Sequence, residues 1–145
     1  MIEINKSQEA KAPVDSVWKV ISDLDSEHNA WSLLRDVKIL KKTDNSVERE
    51  VKIRRGPMGE ATSVQILELD PAKKITTLKL TGGPMLGTRK ISLVKSGNGS
   101  TTKIDVNWEF DLKGMPGFAK GFVKDNVSDV TEKALAQIAK EAEAQ

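Results

Sequence analysis

Two arginines occur where an apolar strand face would bury them. Arg55 continues the two-residue alternation of Val51 and Ile53, and Arg89 has the parity of the apolar positions that follow it. A planar guanidinium among apolar residues can hold a carboxylate, phosphate or phenolate through parallel hydrogen bonds. The structural alternative is that it snorkels to water or pairs with an acid of the chain, such as Glu60. Both interpretations remain open from the sequence.

The single histidine, His28, is the candidate general base. Only Asp23, Asp25 and Glu27 are nearby in sequence as partners, and a surface loop position is the simpler interpretation. These three acids at alternate positions lack the glycine and the distant glutamate of an EF-hand calcium loop. We therefore predict no catalytic residue, no metal site and no cofactor.

Composition excludes several function classes. The chain has no cysteine, which excludes disulfide frameworks, thiolate zinc sites and cysteine nucleophiles. A net charge of +2 with interleaved signs gives no strong field for nucleic acid or for a membrane surface. No apolar run approaches the roughly 20 residues that span a bilayer, and the N-terminus lacks the apolar core of a signal peptide. We expect one cytoplasmic domain over residues 1–145, with no nucleic-acid partner and no stable membrane insertion.

Apolar periodicity predicts a strand, two short helices, six strands and a long helix. The first strand covers Ile2–Ala10, a helix starts at Pro13, and a second short helix follows before residue 34. The later strands are predicted at Asp36–Lys42, Val47–Arg55, Glu60–Leu69, Lys74–Thr81, Thr88–Lys95 and Thr101–Leu112. In the predicted strand Glu60–Leu69, the apolar pair Val64 and Ile66 has the opposite parity to the pair Leu67 and Leu69, which predicts a bulge in that strand. The long helix, Phe118–Ala142, must bury its stripe on the apolar face of the sheet, and residues 140–145 are predicted to fray.

Three loops combine glycine and proline with a methionine, namely GPM at 56–58, GPM at 83–85 and GMPG at 114–117. Successive connections of an antiparallel meander alternate between the two ends of the sheet. These loops therefore share one end, where the segment with Trp31 joins them, and the polar turns share the other. Flexible apolar side chains gathered at one end indicate a mouth into the interior. The alternative is that they plug the end of an ordinary core.

Two segments resemble a known family. AKAPVDSVWKVISDLDSEHNAW, residues 10–31, resembles the opening of START-like, polyketide-cyclase/dehydrase-related proteins of the SRPBCC superfamily, and DNVSDVTEKALAQI, residues 125–138, resembles their closing helix. The resemblance implies a helix-grip α+β fold, a seven-stranded antiparallel sheet curled around a long C-terminal helix, with two short helices between strands 1 and 2. Members bind hydrophobic small molecules between sheet and helix. A minority are enzymes, and some bind proteins instead.

The resemblance and the strand parities together predict a ligand cavity of roughly 300–1,000 Å³. The expected lining is Trp31, Val51, Ile53, Arg55, Met58, Leu78, Leu80, Met85, Arg89, Ile91, Leu93, Val106, Trp108, Phe110, Met115, Phe118, Phe122 and Asn126. Trp108 either belongs to the core or stacks on a flat ligand. We expect a carrier of a lipid, quinone or polyketide-like molecule. The alternatives are an aromatase/cyclase- or dehydratase-type enzyme, whose acid/base set the sequence does not show, and a protein-interaction module such as a co-chaperone or ribosome-associated factor.

Overall fold

The structure, a computed structural model, describes residues 1–32, 34–54 and 59–145. These residues form seven strands and three α-helices, with one 3-10 turn at Leu24–Ser26. In chain order the elements are β1 Ile2–Ala10, α1 Val14–Ile21, α2 Glu27–Ala30, β2 Arg35–Lys42, β3 Ser46–Arg54, β4 Glu60–Asp70, β5 Ile75–Gly82, β6 Met85–Ser96, β7 Thr101–Leu112 and α3 Gly117–Glu143.

The described strands make one antiparallel sheet in the order β1-β7-β6-β5-β4-β3-β2. The first strand therefore lies beside the last, with Ile2 opposite Phe110 and Ala10 opposite Thr102. β2 forms the other edge. This confirms the predicted seven-stranded antiparallel sheet with a long C-terminal helix and two short helices between strands 1 and 2.

One face of the sheet is buried, as the strict alternation of buried and more exposed residues along β7 shows. Ile104, Val106, Trp108 and Phe110 are all buried, and the residues between them are partly or fully exposed. The apolar stripe of α3 covers this face and joins the same core. The sheet and helix thus form two layers with the core between them.

The end of α3 differs from the prediction that residues 140–145 fray. The helix continues to Glu143, and Ala142 is buried. The Glu143 carboxylate accepts a hydrogen bond of 2.8 Å from the Lys11 backbone N–H. The last turn is therefore anchored to the segment between β1 and α1.

Two strand predictions also need correction. β6 begins at Met85 rather than Thr88, because Met85 pairs with Leu112 of β7 and the ladder is continuous from there. The predicted bulge in β4 is wrong, since burial alternates without a break through Ser63, Gln65 and Leu67. The register shift lies on the neighbouring strand, where β5 carries the extra residue between Leu80 and Gly82.

Candidate functional site

A pocket lies between the inner face of the sheet and the first half of α3. Its space is about 780 Å³ when the solvent at its mouth is included. Within that space there is room for a handful of water molecules, which is less than a polycyclic ligand needs. The predicted site residues that line it are Trp31, Leu78, Leu80, Met85, Arg89, Trp108, Met115, Phe122 and Asn126.

Two of the three methionine loops meet at this pocket, as predicted. Met85 and Met115 both line it, and the Lys113 backbone N–H donates to the Pro84 carbonyl at 2.8 Å. The glycine before Pro84 is required by geometry. Gly83 has a φ of +102°, and a Cβ there would lie 2.5 Å from the Thr62 carbonyl oxygen. The third loop, with Met58, lies outside the described residues.

A buried ion-pair cluster borders the pocket. Arg49 of β3 makes a two-bond fork to Glu27 of α2, with Nη1 to Oε2 at 2.7 Å and Nη2 to Oε1 at 3.1 Å. Arg89 of β6 approaches the same carboxylate, with Nη2 to Oε1 at 3.5 Å. Arg49 Nε also donates to the Gln65 side-chain oxygen at 3.2 Å. The three charged side chains are 3–7% exposed, so water hardly screens them.

The cluster shifts the pKa values of two of its members. Burial raises the pKa of Glu27, but the hydrogen bond from Arg49 and the charges of both arginines outweigh it, and the pKa lies below its ordinary value. Burial, opposed by the Glu27 charge and assisted by the Arg49 charge, lowers the pKa of Arg89 to about 10. Glu27 and Arg89 are therefore both ionised at neutral pH.

Aromatic rings enclose the Arg89 guanidinium. Its central carbon lies 4.3 Å from the ring centre of Trp31 and 5.7 Å from that of Trp108. The two indole rings meet edge to face at 73°, with centres 6.1 Å apart. Trp108 donates through Nε1 to the Thr131 hydroxyl at 2.9 Å, and Thr131 donates to the Val127 carbonyl at 2.7 Å. Trp108 is therefore fixed by the helix while it also lines the pocket.

Two buried polar atoms at the pocket have no hydrogen-bond partner among the described residues. They are Arg89 Nε and Ser63 Oγ. A third such atom, Thr76 Oγ1, belongs to a residue that does not line the pocket. A buried polar group without a partner costs about 1–3 kcal/mol relative to a paired one. Two of the residues that line the pocket therefore each carry a buried polar atom without a partner among the described residues.

Other predicted lining residues lie elsewhere. Phe118 is 85% exposed in the first turn of α3, whereas its neighbour Ala119 is buried. Ile91 lines a smaller space on the Glu27 side of Arg89. Four further predicted residues do not line the main pocket, namely Val51, Leu93, Val106 and Phe110. The parity of a strand position shows that a side chain faces the core, but it does not show which part of the core is open. Arg55, Met58 and the side chain of Ile53 lie outside the described residues.

A second pocket is lined by His28, Asp25 and Glu27 together with residues of β2 and β3. His28 is exposed in α2, and Asp23 caps the following turn by accepting from the Asp25 N–H at 3.2 Å. No group of three or more histidines and acids among the described residues could hold a metal ion. No helix among them is long and apolar enough to cross a membrane.

The sequence interpretation missed several residues of the site. The sequence relates Glu27 only to its neighbour His28, whereas in the structure Glu27 is the acid that pairs with Arg89. Arg49 has the parity of Val47 and Val51, and this signal could have placed it on the inner face. Leu34, Ser63, Gln65, Val123 and Val127 also line the pocket.

Comparison with known proteins identifies similar sequences and folds. The family model described as "Polyketide cyclase / dehydrase and lipid transport" matches residues 1–143. No curated protein matches the chain.

Three solved structures show the fold. The Zhui aromatase/cyclase from Streptomyces is 16% identical with a TM-score of 0.85, over 98% of this chain and 93% of that one. A Thermus thermophilus protein is 12% identical with a TM-score of 0.83, over 99% and 98%. A START superfamily protein from Mycobacterium smegmatis is 16% identical with a TM-score of 0.67, over 98% and 94%.

Proposed function

Since the chain belongs to the polyketide cyclase/dehydrase and lipid transport family, we propose that it binds one hydrophobic or aromatic small molecule in the pocket between the sheet and α3. The observation that supports this most directly is the lining of the pocket. Most of its side chains are apolar, and the two indoles stand edge to face at 73° beside one cation. Apolar walls with a few placed polar groups are typical of small-molecule sites.

Binding requires the pocket to widen. Met85 and Met115 line it at the mouth end of the sheet, and Phe122 lines it from α3 while 52% of its surface is exposed. Methionine side chains are unbranched and adapt to different shapes. A ligand that separates these three side chains gains room without disturbing the core around Val106 and Phe110.

Binding without chemistry is favoured over catalysis by the ionisable groups at the pocket. Among the described residues that line it, none is Asp, Glu or His. The carboxylate that pairs with Arg89 of the pocket lining, that of Glu27, is held ionised by two arginines, so it has no proton to donate at neutral pH. Both its oxygens already accept hydrogen bonds from arginine, so it is also a poor general base.

The proposal is tested with N-phenyl-1-naphthylamine, a neutral aromatic dye that fluoresces in apolar surroundings. We expect one dye per chain in the wild type. Asn126→Trp, which fills the pocket from α3, should weaken binding by about tenfold or more, because the dye must then displace a packed indole. Lys124→Trp adds the same indole at an exposed position of the same helix and should change the dissociation constant by less than about twofold.

Two outcomes would overturn the proposal. One is a wild type that does not bind the dye. The other is equal weakening by both substitutions, which would place the dye on the surface of α3 instead of in the pocket.

A further inference from the structure

The second pocket, which His28 borders, lies between β2 and β3 on one side and α2 with the turn before it on the other. Its space is about 680 Å³ when the solvent at its mouth is included, and it has more room for water than the main pocket has. Its apolar lining comes from both sides, namely Leu24, Leu34, Val37, Ile39 and Val47. A space of this size with apolar walls is large enough for part of a ligand.

The wall between the main pocket and the second pocket is one layer of side chains thick. Leu34 lines both pockets. Beside it, Gln65 of the main pocket accepts a hydrogen bond of 3.2 Å from Arg49 of the second. Arg89 of the main pocket pairs with Glu27 of the second at 3.5 Å. The two pockets are therefore neighbours along this whole wall.

Leu34 is the part of the wall that can move at the lowest cost. Separating Arg49 from Glu27 would break a two-bond fork and leave buried charges unpaired. The Leu34 side chain has no polar atom, is half-buried and belongs to no helix or strand, so a change of rotamer breaks no hydrogen bond. With Leu34 moved aside, the two pockets form one elongated cavity from Met115 to β2.

The two ends of this elongated cavity differ in polarity. The main pocket is mostly apolar, whereas the second pocket is also bordered by Asp25, His28 and Lys42, which are all exposed. Asp25 and Lys42 carry opposite charges, and the other two charged groups there, Glu27 and Arg49, are paired with each other. This end therefore offers water, donors and acceptors to a polar group, without an excess of either charge.

We propose that the second pocket is a subsite of the same binding cavity, reached past Leu34, and that it takes the polar end of an elongated amphiphile. This inference rests on the proposed binding function and adds the shape and chemical class of the ligand. The apolar part of the ligand lies in the main pocket, where it is removed from water. The polar end stays hydrated in the second pocket, so it avoids the cost of burying a polar group without a partner.

The first test compares 1-hexanol with 1-decanol as competitors of N-phenyl-1-naphthylamine. The longer alcohol has four more methylenes, and each one that is buried should tighten binding about fourfold. We therefore expect 1-decanol to bind on the order of a hundredfold more tightly than 1-hexanol in the wild type.

Variants at the two sides of the second pocket locate the longer alcohol. Val37→Trp narrows this pocket from β2 and should weaken 1-decanol about tenfold, while 1-hexanol and the dye change by less than about twofold, because Val37 does not line the main pocket. Leu40→Trp is the matched control. Val37 and Leu40 lie on the same strand and are 43% and 44% exposed, but Leu40 lines neither pocket, so all three affinities should be unchanged.

Leu34→Ala tests the wall itself. It removes most of the side chain that the ligand must displace, so the ratio of the 1-decanol affinity to the 1-hexanol affinity should rise about threefold. An unchanged ratio would contradict the passage past Leu34. If this variant does not fold, as judged by near-UV circular dichroism, the comparison of Val37→Trp with Leu40→Trp decides the inference.

The single histidine of the chain reports where the polar end lies. Because His28 borders the second pocket, 1-decanol should shift the proton resonances of its ring, and 1-hexanol should not. Nuclear Overhauser contacts should join the His28 ring to the protons beside the hydroxyl of 1-decanol. Contacts to the terminal methyl group instead would overturn the assignment of the polar end to this pocket.

The outcomes separate this inference from the proposed function. Unshifted His28 resonances, together with equal effects of Val37→Trp and Leu40→Trp on 1-decanol, would overturn the subsite and leave the binding function standing. The same conclusion follows if neither alcohol displaces a dye that itself binds. A wild type that binds neither the dye nor the alcohols would overturn both.

Discussion

Trp108 stands between two polar arrangements that differ in completeness. On the helix side, its N–H donates to Thr131, and the Thr131 hydroxyl donates to a backbone carbonyl. This series of hydrogen bonds is neutral, and both of its donors have an acceptor. On the strand side, two arginines share one carboxylate, and Arg89 Nε has no partner among the described residues.

The difference separates structure from binding. A closed neutral network fixes one packing arrangement and gains nothing from a further group. A charged network with an unused donor costs stability until something completes it. The Thr131 side therefore holds α3 on the sheet, whereas the Arg89 side keeps a donor without a partner among the described residues.

The largest effect is expected from removing the shared carboxylate. Glu27→Gln leaves two buried guanidiniums without a counter-charge and should lower the free energy of unfolding by about 3–5 kcal/mol. Urea denaturation measures this. Glu132→Gln breaks the exposed pair with Lys6, which spans 2.7 Å, and should cost less than about 1 kcal/mol. An equal loss of unfolding free energy in the two variants would contradict the expectation that the buried ion pair contributes more to stability than the exposed one.

Acid should act on the same group. The folded-state pKa of Glu27 is lowered below its ordinary value of 4.5, so its contribution to stability is present above that pH and is lost as the pH falls through the folded-state pKa. Urea unfolding at a series of pH values below 5 measures the slope. Glu27→Gln should show a shallower acid slope than the wild type. Parallel slopes would mean that other carboxylates govern acid unfolding.

The closed network can be opened deliberately. Thr131→Val removes the acceptor for the Trp108 N–H in a buried place and should cost about 1–3 kcal/mol. Thr131→Ser keeps the hydroxyl and should cost less. Thermal unfolding followed by tryptophan fluorescence compares them. If valine and serine are equally tolerated, the hydrogen bond does not hold the indole.

The smallest effect is expected outside both networks. Phe118→Ser changes a side chain that is 85% exposed, so the free energy of unfolding should change by less than about 0.5 kcal/mol. Dye affinity should also be unchanged. Phe122→Ser, one turn further along α3, changes a residue that lines the pocket and should weaken binding of the dye. A loss of affinity in Phe118→Ser would place the mouth further out than the structure does.

The sequence predicted the architecture because it repeats the same signal many times. β7 alternates through five buried residues, and the stripe of α3 continues for several turns. The polar turns and methionine loops then fix which strands are neighbours. The ends of the strands were predicted less accurately. The start of β6 at Met85 is an example, because a methionine directly after a glycine-proline pair also indicates a loop.

The site was predicted only in part, for a physical reason. Parity placed Arg89 on the inner face, but its partner Glu27 is 62 residues away in the chain and on a one-turn helix. No periodic signal relates such positions. Ser63 and Gln65 were missed because residues on an inward strand face are expected to be apolar. Only the three-dimensional structure shows what these two polar side chains contact.

The pairing of β1 with β7 has a consequence for synthesis. On the ribosome, the first strand emerges about a hundred residues before its partner, which takes several seconds at ordinary elongation rates. During that time Ile2 and Ile4 have no sheet to join, and the polar residues that alternate with them keep the nascent segment soluble. The sheet can close only after Thr101–Leu112 leaves the ribosome, and α3 follows immediately. A truncated product that ends before β7 would therefore expose its first strand to aggregation and proteolysis.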